Sequence, residues 1–486
     1  MSDKPNIVFL LNDHQAYYRH GWDGGPKIRR PNFDRLAGEG VSFQRAYCAS
    51  PLCGPSRRTL LTGLFPHNHG ETHNDTNHPM DCEVYLDLLA RNGYRNYYYG
   101  KWHAGPGTAH DHHCQGFNYP SYNNPYTKPE YREYLKANSL PPFEVFIERT
   151  FDPWKKGINA GELYHCDKAW CNEHAIGIVT TPKETHEAFF LANLACDKLR
   201  ELAKSRNKKP FSLRVDFWGP HLPYFVTQEF ADMYDPAEIP EYGNFRDDLR
   251  TKPEIYRSEA GLGLNKDGKL IVPNPLPWSE WQKVLARNYA HTTMIDGAGG
   301  MVLDTLDELG LSKNTIVVWT TDHGDAVACH GGHTDKSSYM PEEMVRIPLA
   351  IRYPGRIPPG QVMDRLVSNI DIAPTLLDAA GTAFEDKIDG KSLLPLSTSE
   401  SDSWREDLMC ETHGHYEYHV GRLLVTDRYK YVANKGQMDE LYDLESDPYE
   451  LKNRINASPY RDILTDLRAR LATWQRRTED KETSIE

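Results

Sequence analysis

The 486-residue chain is long enough for one large domain and a smaller one around a well-buried core. Its 56 Lys and Arg against 69 Asp and Glu give a formal net charge of −13, spread along the chain, which excludes the basic footprint of a nucleic-acid binder. No apolar run reaches the length of a membrane span, and nine cysteines at irregular spacings do not read as a disulfide framework.

The opening MSDKPNIVFLLND has no charged leader, long apolar run and small-residue cleavage site, so the expectation is a cytoplasmic protein with reduced thiols. NIVFLL (6–11) reads as the first strand and runs into Asn12-Asp13-His14. PNFDRLAGEG (31–40) reads as a helix. SPLCGPSRRTLLTG (50–63) places Cys53 just ahead of a short apolar helix, expected to begin near Pro55 because proline is favoured at the first helical position. CEVYLDLLARNG (82–93) is the next helix, and RNYYYG (95–100) is a strand ending in Lys101-Trp102-His103.

From 104 to 182 the periodicity is lost in a stretch rich in Tyr, His, Asn and Pro, read as a long elaborated pocket insertion. The α/β alternation then resumes. THEAFFLANLACDKLRELAKS (185–205) is a helix, and FSLRVDF (211–217) is a strand running into Trp218-Gly219-Pro220-His221. GAGGMVLDTLDELG (297–310) is a helix, and TIVVWTT (315–321) is a strand running into Asp322-His323-Gly324-Asp325. DIAPTLLDAAG (371–381) closes the main domain. Beyond it, GRLLVTDRYKYVAN suggests a small antiparallel sheet, and RDILTDLRARLATWQRR a terminal helix. The expected architecture is α/β, with a large, mixed, mostly parallel sheet between helices over 1–381 and a smaller α+β subdomain with an antiparallel sheet over 382–486.

In open α/β sheets ligands bind beyond the carboxyl ends of the strands. Here four strand ends deliver ionisable groups to that edge, and the Cys53 helix is expected to begin there. Asp13, Asp322 and His323 suit a divalent cation. Arg57, Lys101 and Lys336 bring fixed positive charge, and His103 and His221 can move protons near neutral pH. Cation, cationic clamp and proton carriers together describe hydrolysis of a sulfate or phosphate ester. Taken singly, Asp13 reads as a helix cap and Lys101 as a solvated lysine; their joint placement with Cys53 carries the functional reading.

Cys53-Gly54-Pro55-Ser56-Arg57, with LLTG following, resembles the signature of the formylglycine-dependent sulfatases of the alkaline phosphatase superfamily. PNIVFLLND, GKWHAG, GPHLPY, TTDHGD, MVRIPLAIRYPG, TDRYKY and ELYDLESDP extend the resemblance along nearly the whole chain. It implies an alkaline-phosphatase-like fold and hydrolysis of a sulfate monoester to an alcohol and inorganic sulfate. It also implies that a formylglycine-generating enzyme oxidises Cys53 to formylglycine before folding, and that the hydrated aldehyde is the nucleophile. By the same resemblance Asp13, residue 53, Asp322 and His323 hold Ca²⁺ and Arg57 steadies the diol. Lys101 and Lys336 grip the sulfate oxygens, His221 serves the leaving oxygen, and His103 takes a proton from the second hydroxyl.

One departure is His14, where many sulfatases carry a second aspartate. Choline sulfatases and phosphonate monoester hydrolases share that lack, and less negative charge around the cation keeps Mn²⁺ as an alternative to Ca²⁺. The role of His14 is left open, with a place beside the metal preferred to one on it. The implied substrate is small and sulfated, with a carbohydrate, aryl or alkyl alcohol half; neither nucleic acid nor membrane is implied, and a homo-oligomer is left open. The alternatives are a phosphonate monoester or phosphodiester hydrolase on the same scaffold, and a non-catalytic binder of sulfated ligand. Four further features are weighed. HCDKAWCNEH (165–174) has a zinc-knuckle look from Cys166 and Cys171, but the spacing is irregular and chance is preferred. His110, His112 and His113 read as loop residues, His413 and His415 as residues that can reach the pocket. The tyrosines of the insertion are stacking faces or packing.

Overall fold

The computed structural model describes residues 4–17, 26–74, 76–120, 124–150, 159–166, 175–207, 209–258, 276–397 and 403–482. The strands are β1 (Asn6–Asp13), β2 (Val41–Tyr47), β3 (Arg95–Lys101), β4 (Cys114–Gln115), β5 (Asn118–Tyr119), β6 (Glu144–Thr150), β7 (Leu163–His165) and β8 (Ala175–Val179). They continue as β9 (Phe211–Pro220), β10 (Tyr224–Thr227), β11 (Thr315–Thr321), β12 (Arg346–Arg352) and β13 (Gln361–Ser368). Nine of these form the main sheet, in the order β13-β2-β12-β11-β1-β9-β3-β4 with β5 also against β3. Every described pairing in it is parallel except those of β12, which runs antiparallel to both β11 and β2. The mixed, mostly parallel sheet expected from the sequence is therefore present.

β1 shows how the sandwich is assembled. Successive side chains of a strand point to opposite faces, and Val8 and Leu10 enter one core while Ile7, Phe9 and Leu11 enter the other. A strand covered on both sides reads as an unbroken apolar run, as NIVFLL does. The first core is covered by α1 (Pro31–Gly38), α5 (Glu187–Lys204) and α6 (Trp278–Glu308). The second is covered by α2 (Cys53–Thr62), α3 (Tyr85–Arg91) and α7 (Ile372–Ala379), and by the C-terminal elements. Those elements are the antiparallel meander β14 (Asp407–Gly414), β15 (Tyr418–Thr426), β16 (Tyr429–Asn434) and β17 (Glu440–Asp443), with α8 (Arg461–Thr478) packed on it.

Three expectations need correction. α2 begins at Cys53 and not near Pro55. The helix expected from 297 is the last part of a 31-residue helix starting at Trp278. Its glycines weaken local helix propensity but are needed for packing: a Cβ on Gly299 would lie 2.4 Å from the Trp319 ring, and one on Gly300 2.4 Å from Asn32. Nor is 104–182 patternless. It contains α4 (Pro129–Ala137) and the strands β6, β7 and β8, which β10 extends to a four-stranded sheet of order β10-β8-β6-β7. The tyrosines there extend the first core: Tyr126 stacks on Phe143 at 4.4 Å between ring centroids, and Tyr131 and Tyr134 pack on Phe190 of α5 at 5.3 and 5.0 Å.

Candidate active site

The carboxyl ends of β1, β3, β9 and β11 and the first turn of α2 meet at one buried point. Asp13 is the last residue of β1 and Lys101 the last of β3; Asp322 and His323 follow β11 directly. Gly100 permits the approach of β3 to β9: its φ is +110°, and a Cβ there would lie 2.0 Å from the Asp216 carbonyl oxygen. α2 is buried along its whole length. Its first turn is pinned by Asn74, whose Oδ1 accepts from the Gly54 N–H at 2.8 Å, and by Ser56, whose Oγ donates to the Asp322 carbonyl at 2.6 Å. Asn369 in turn donates to Ser56 Oγ at 2.7 Å.

Arg57 organises the charges. Its Nη2 donates to Asp13 Oδ2 at 2.8 Å, its Nε to Asp322 Oδ2 at 2.9 Å and its Nη1 to Asp216 Oδ2 at 3.0 Å, with every partner fully buried. Lys101 Nζ reaches Asp13 Oδ2 at 2.5 Å. Burial alone would raise the Asp13 pKa, but Lys101 and Arg57 hold it well below the ordinary carboxylate value. These contacts engage Asp13 Oδ2 and leave Oδ1 turned towards Cys53 Sγ, 3.7 Å away. His323 Nδ1 donates to the Gly324 carbonyl at 2.8 Å, so Nε2 carries the lone pair, and it lies 3.1 Å from the same sulfur. A second contact that fixes the tautomer is the usual preparation of a metal-binding imidazole. Ligand atoms of Asp13, Cys53, Asp322 and His323 all lie within 4.8 Å of one another, and the oxygen and nitrogen donors fit a hard or borderline divalent cation.

Burial, reinforced by Asp13, pushes the Cys53 thiol up to about 12. A thiol so held is protonated at neutral pH and a poor nucleophile.

A second group adjoins the first. His221 follows the end of β9; its Nδ1 donates to the Leu222 carbonyl at 2.7 Å and its Nε2 accepts from Lys336 Nζ at 3.1 Å. Lys336 also pairs with Asp335 at 3.1 Å. Burial, then the Lys336 charge, hold the His221 pKa well below the ordinary histidine value. The His14 ring lies between the two groups: its Nε2 is 3.4 Å from Asp335 Oδ1, and its centroid is 4.7 Å from that of His221 and 4.8 Å from that of His323. His14 has a left-handed φ of +64°, and its main-chain N–H donates to Asp322 Oδ1 at 2.9 Å. His103, just beyond β3, is buried with a φ of +42°.

The C-terminal meander contributes the rim. His415 N donates to Ser338 Oγ at 2.6 Å, its ring lies 4.1 Å from that of Tyr416, and Tyr416 Oη reaches Asp335 Oδ2 at 3.5 Å. Burial and the nearby Lys336 lower the His415 pKa to about 3, so the ring is neutral. The other candidates lie elsewhere. His112 stacks on Trp102 and pairs with Asp87, and His110 Nδ1 donates to the Cys114 carbonyl. His113 caps a short turn. His165 is largely exposed beside Glu144, Cys166 is buried, and the rest of HCDKAWCNEH, Cys171 included, lies outside the described residues. Asp216, Asp335, Ser56 and Asn74 were not singled out from the sequence. Asp216 left one signal, a carboxylate two residues from Arg214 inside a strand buried along its length.

The family model described as Sulfatase matches residues 5–382, and one described as N-sulphoglucosamine sulphohydrolase, C-terminal, matches residues 330–477. An arylsulfatase of Clostridium perfringens is 29% identical over 478 residues, spanning 96% of this chain and 93% of its own. An N-acetylglucosamine-6-O-sulfatase of Bacteroides thetaiotaomicron is 25% identical over 543 residues, spanning 99% of this chain and 88% of its own. Among solved structures, the phosphonate monoester hydrolase of Agrobacterium radiobacter has the same fold, with a TM-score of 0.77 at 20% identity over 98% of this chain and 96% of its own.

Proposed function

The chain belongs to the sulfatase family and is a sulfuric ester hydrolase, and we propose that it cleaves a carbohydrate sulfate at the cluster around Cys53. The convergence of Asp13, Cys53, Asp322 and His323 beside the ammoniums of Lys101 and Lys336 carries this reading. A formylglycine made from Cys53 by a formylglycine-generating enzyme would supply a hydroxyl nucleophile, and a divalent cation on Asp13, Asp322, His323 and residue 53 would lower its pKa. Calcium is the proposed ion; the imidazole donor of His323 and the absence of a second carboxylate at position 14 keep manganese as the alternative.

The remaining roles follow from the chain's own groups. Arg57 fixes the two carboxylates Asp13 and Asp322 so that they keep their orientation when substrate enters. Lys101 and Lys336 take the sulfate oxygens. His221 and Lys336 share a proton across their 3.1 Å contact, and this pair hands it to the leaving oxygen. His103 accepts the proton released at position 53. The neutral His415 ring and the Tyr416 ring, which is 56% exposed, offer a face to a ring-shaped alcohol.

The division into a catalytic piece, 1–381 with its insertion at 104–182, and a rim-bearing piece, 382–486, belongs to this proposal. It is supported by the meander lying wholly in the second piece. No helix among the described residues is long and apolar enough to cross a membrane, and the eight described cysteines form no disulfide with one another. A cytoplasmic, reducing setting accords with the second observation.

The test is a panel of sulfated sugars, aryl and alkyl sulfates and a phosphonate monoester, with formylglycine occupancy of the residue-53 peptide measured by mass on the same sample. Inorganic sulfate is expected to appear fastest from a sulfated sugar. Dominant phosphonate hydrolysis would overturn the substrate class. A wholly unmodified cysteine in protein from its native source would instead favour a binder of sulfated ligands.

A further inference from the structure

We propose that Glu187 is a positioning residue of the active site: it holds a bulge at Trp218 and through it the Lys101 ammonium and the His221 imidazole. The inference rests on the roles assigned above to Lys101 and His221.

It begins with the register of β9. That strand pairs with β3 as far as Gly100↔Asp216 and with β1 as far as Leu11↔Asp216. The next pair with β1 is Asp13↔Pro220, so β9 advances four residues while β1 advances two. Residues 217–219 stand against Asn12 alone, two more than a regular ladder holds, and such bulges re-aim side chains beside active sites. The Trp218 N–H, left out of the ladder, is taken by Glu187 Oε1 at 3.1 Å, and the Tyr119 hydroxyl of β5 donates to the same oxygen at 3.4 Å.

The re-aimed indole touches both catalytic groups. Lys101 Nζ lies 4.5 Å from the Trp218 ring centroid, and the His221 ring lies 5.0 Å from it. Trp218 Nε1 donates to the Leu222 carbonyl at 3.0 Å, the oxygen that also receives His221 Nδ1 at 2.7 Å. One carbonyl thus clips the indole and the imidazole together. A shift of the Trp218 backbone moves the face under Lys101 and the partner of His221 at once.

An acidic residue in the first turn of a helix needs no further explanation when it faces its own exposed N-terminus. Glu187 does not do that. It is 1% exposed, its Oε1 is spent on β9 and β5, and its Oε2 has no hydrogen-bond partner among the described residues. The titratable groups around it are Tyr119 on β5, Tyr126 in the insertion, whose hydroxyl accepts the Glu187 N–H at 3.1 Å, Asp13 on β1 and Lys101 on β3. Burial holds the Glu187 carboxyl up to about 8, against the pull of the Trp218 N–H. Neutral, it keeps the bulge without placing a negative charge beside an anionic substrate. Ionised, it opposes sulfate binding.

The experiment measures kcat and KM for a sulfate ester from neutral to alkaline pH on wild type, Glu187→Gln and Glu187→Ala, with Lys101→Ala and His221→Ala alongside. Glu187→Gln keeps an acceptor oxygen and no charge, so it should match wild type at neutral pH and lack the alkaline rise in KM. Glu187→Ala should lower kcat/KM by about 10- to 100-fold, the cost of stranding a buried N–H beside the reacting groups. If the alanine variant does not fold, the glutamine profile decides. Superimposable KM–pH curves for wild type and Glu187→Gln, or a folded Glu187→Ala with undiminished kcat/KM, would overturn the inference. Wild-type turnover in Lys101→Ala and His221→Ala would instead remove the reading on which it rests.

Discussion

Two buried charge networks can be set side by side. One lies in the seam between the main sheet's second core and the C-terminal meander. There His67 Nδ1 meets Glu411 Oε2 at 2.5 Å, His67 N and His413 Nε2 meet Oε1 at 2.8 and 3.1 Å, and Arg422 forks onto Asp480 at 2.7 and 3.1 Å. The other is the strand-end cluster. Both are largely buried and both mix acids with bases. In the seam every oxygen of Glu411 and Asp480 has its donor, so the network is closed. At the strand ends Asp13 Oδ1 and His323 Nε2 both turn to the sulfur of Cys53, which is a poor partner for either. Closed networks tie elements together, whereas the open one leaves bonding capacity for a cation the chain does not provide.

The contrast predicts opposite signatures for mutation. Cys53→Ala should cost roughly four orders of magnitude or more in kcat/KM, as loss of a nucleophile does, yet only about 1 kcal/mol of stability. Sulfate release and thermal unfolding on the same sample check both halves, and substantial residual turnover would remove the nucleophile assignment. His221→Ala should cost about 10²- to 10⁴-fold in kcat on a sugar sulfate. It should cost much less on an activated aryl sulfate, whose leaving oxygen needs little protonation. Equal losses on both would place His221 outside proton transfer.

Much of the open network could be read from the sequence, for a physical reason. Apolar runs buried on both faces announce parallel strands, and whatever polar residues follow them must emerge at one edge; Asp13, Lys101, His221, Asp322 and His323 were found this way. Lys336 follows no strand and was named for its charge and its resemblance to the family pattern. Asp216 was passed over because it lies inside FSLRVDF, where Arg214 already pairs with it, and its further partners Arg57 and Tyr98 come from other elements. The side of the sheet edge that the His14 ring takes depends on a left-handed backbone angle, which leaves no periodic trace. The full length of the long helix and the strands of the insertion were missed because tertiary packing overrides local propensity, whereas packing was one of the two readings given to the insertion's tyrosines. The closed seam could not be read at all: Glu411 and Arg422 face each other across β14 and β15, but His67 and Asp480 come from distant parts of the chain, and no motif joins the four.

The seam should respond in the reverse sense. Glu411→Gln removes one partner of a buried pair and should cost about 3 kcal/mol in denaturant unfolding, with turnover per folded molecule kept. A matching fall in turnover would mean that the seam also shapes the pocket. The open network should gain stability from the ion it lacks: saturation at about a hundred times its Kd should add about 2.7 kcal/mol. A chelator should reverse the gain, and Asp13→Asn should abolish it. A thermal midpoint indifferent to calcium and manganese alike would argue that Asp13, Asp322 and His323 hold no cation.

The smallest effect, and the sharpest on the closed side, is the pH dependence of the seam. Burial opposes charge on His67, but Glu411 overrides it and lifts the imidazolium from 6.5 to about 9. Glu411 is also buried, and His67 and Arg422 hold its pKa well below 4.5. A group whose pKa is raised on folding stabilises fully below its unfolded value and loses that contribution as pH climbs through its folded value. His67 therefore contributes in full below about pH 6.5, and its share drains away up to about pH 9. A depressed carboxylate behaves in the opposite way, so the Glu411 share is complete above about pH 4.5 and falls away under it. Unfolding free energy, measured with substrate and divalent cation absent, should decline between neutral pH and about pH 9 in wild type. The slope should be shallower in His67→Gln, which keeps a donor to Glu411 but cannot titrate. Parallel slopes in the two proteins would show that folding does not raise the His67 pKa, and the charge pairing of the seam would then rest on Arg422 and Asp480.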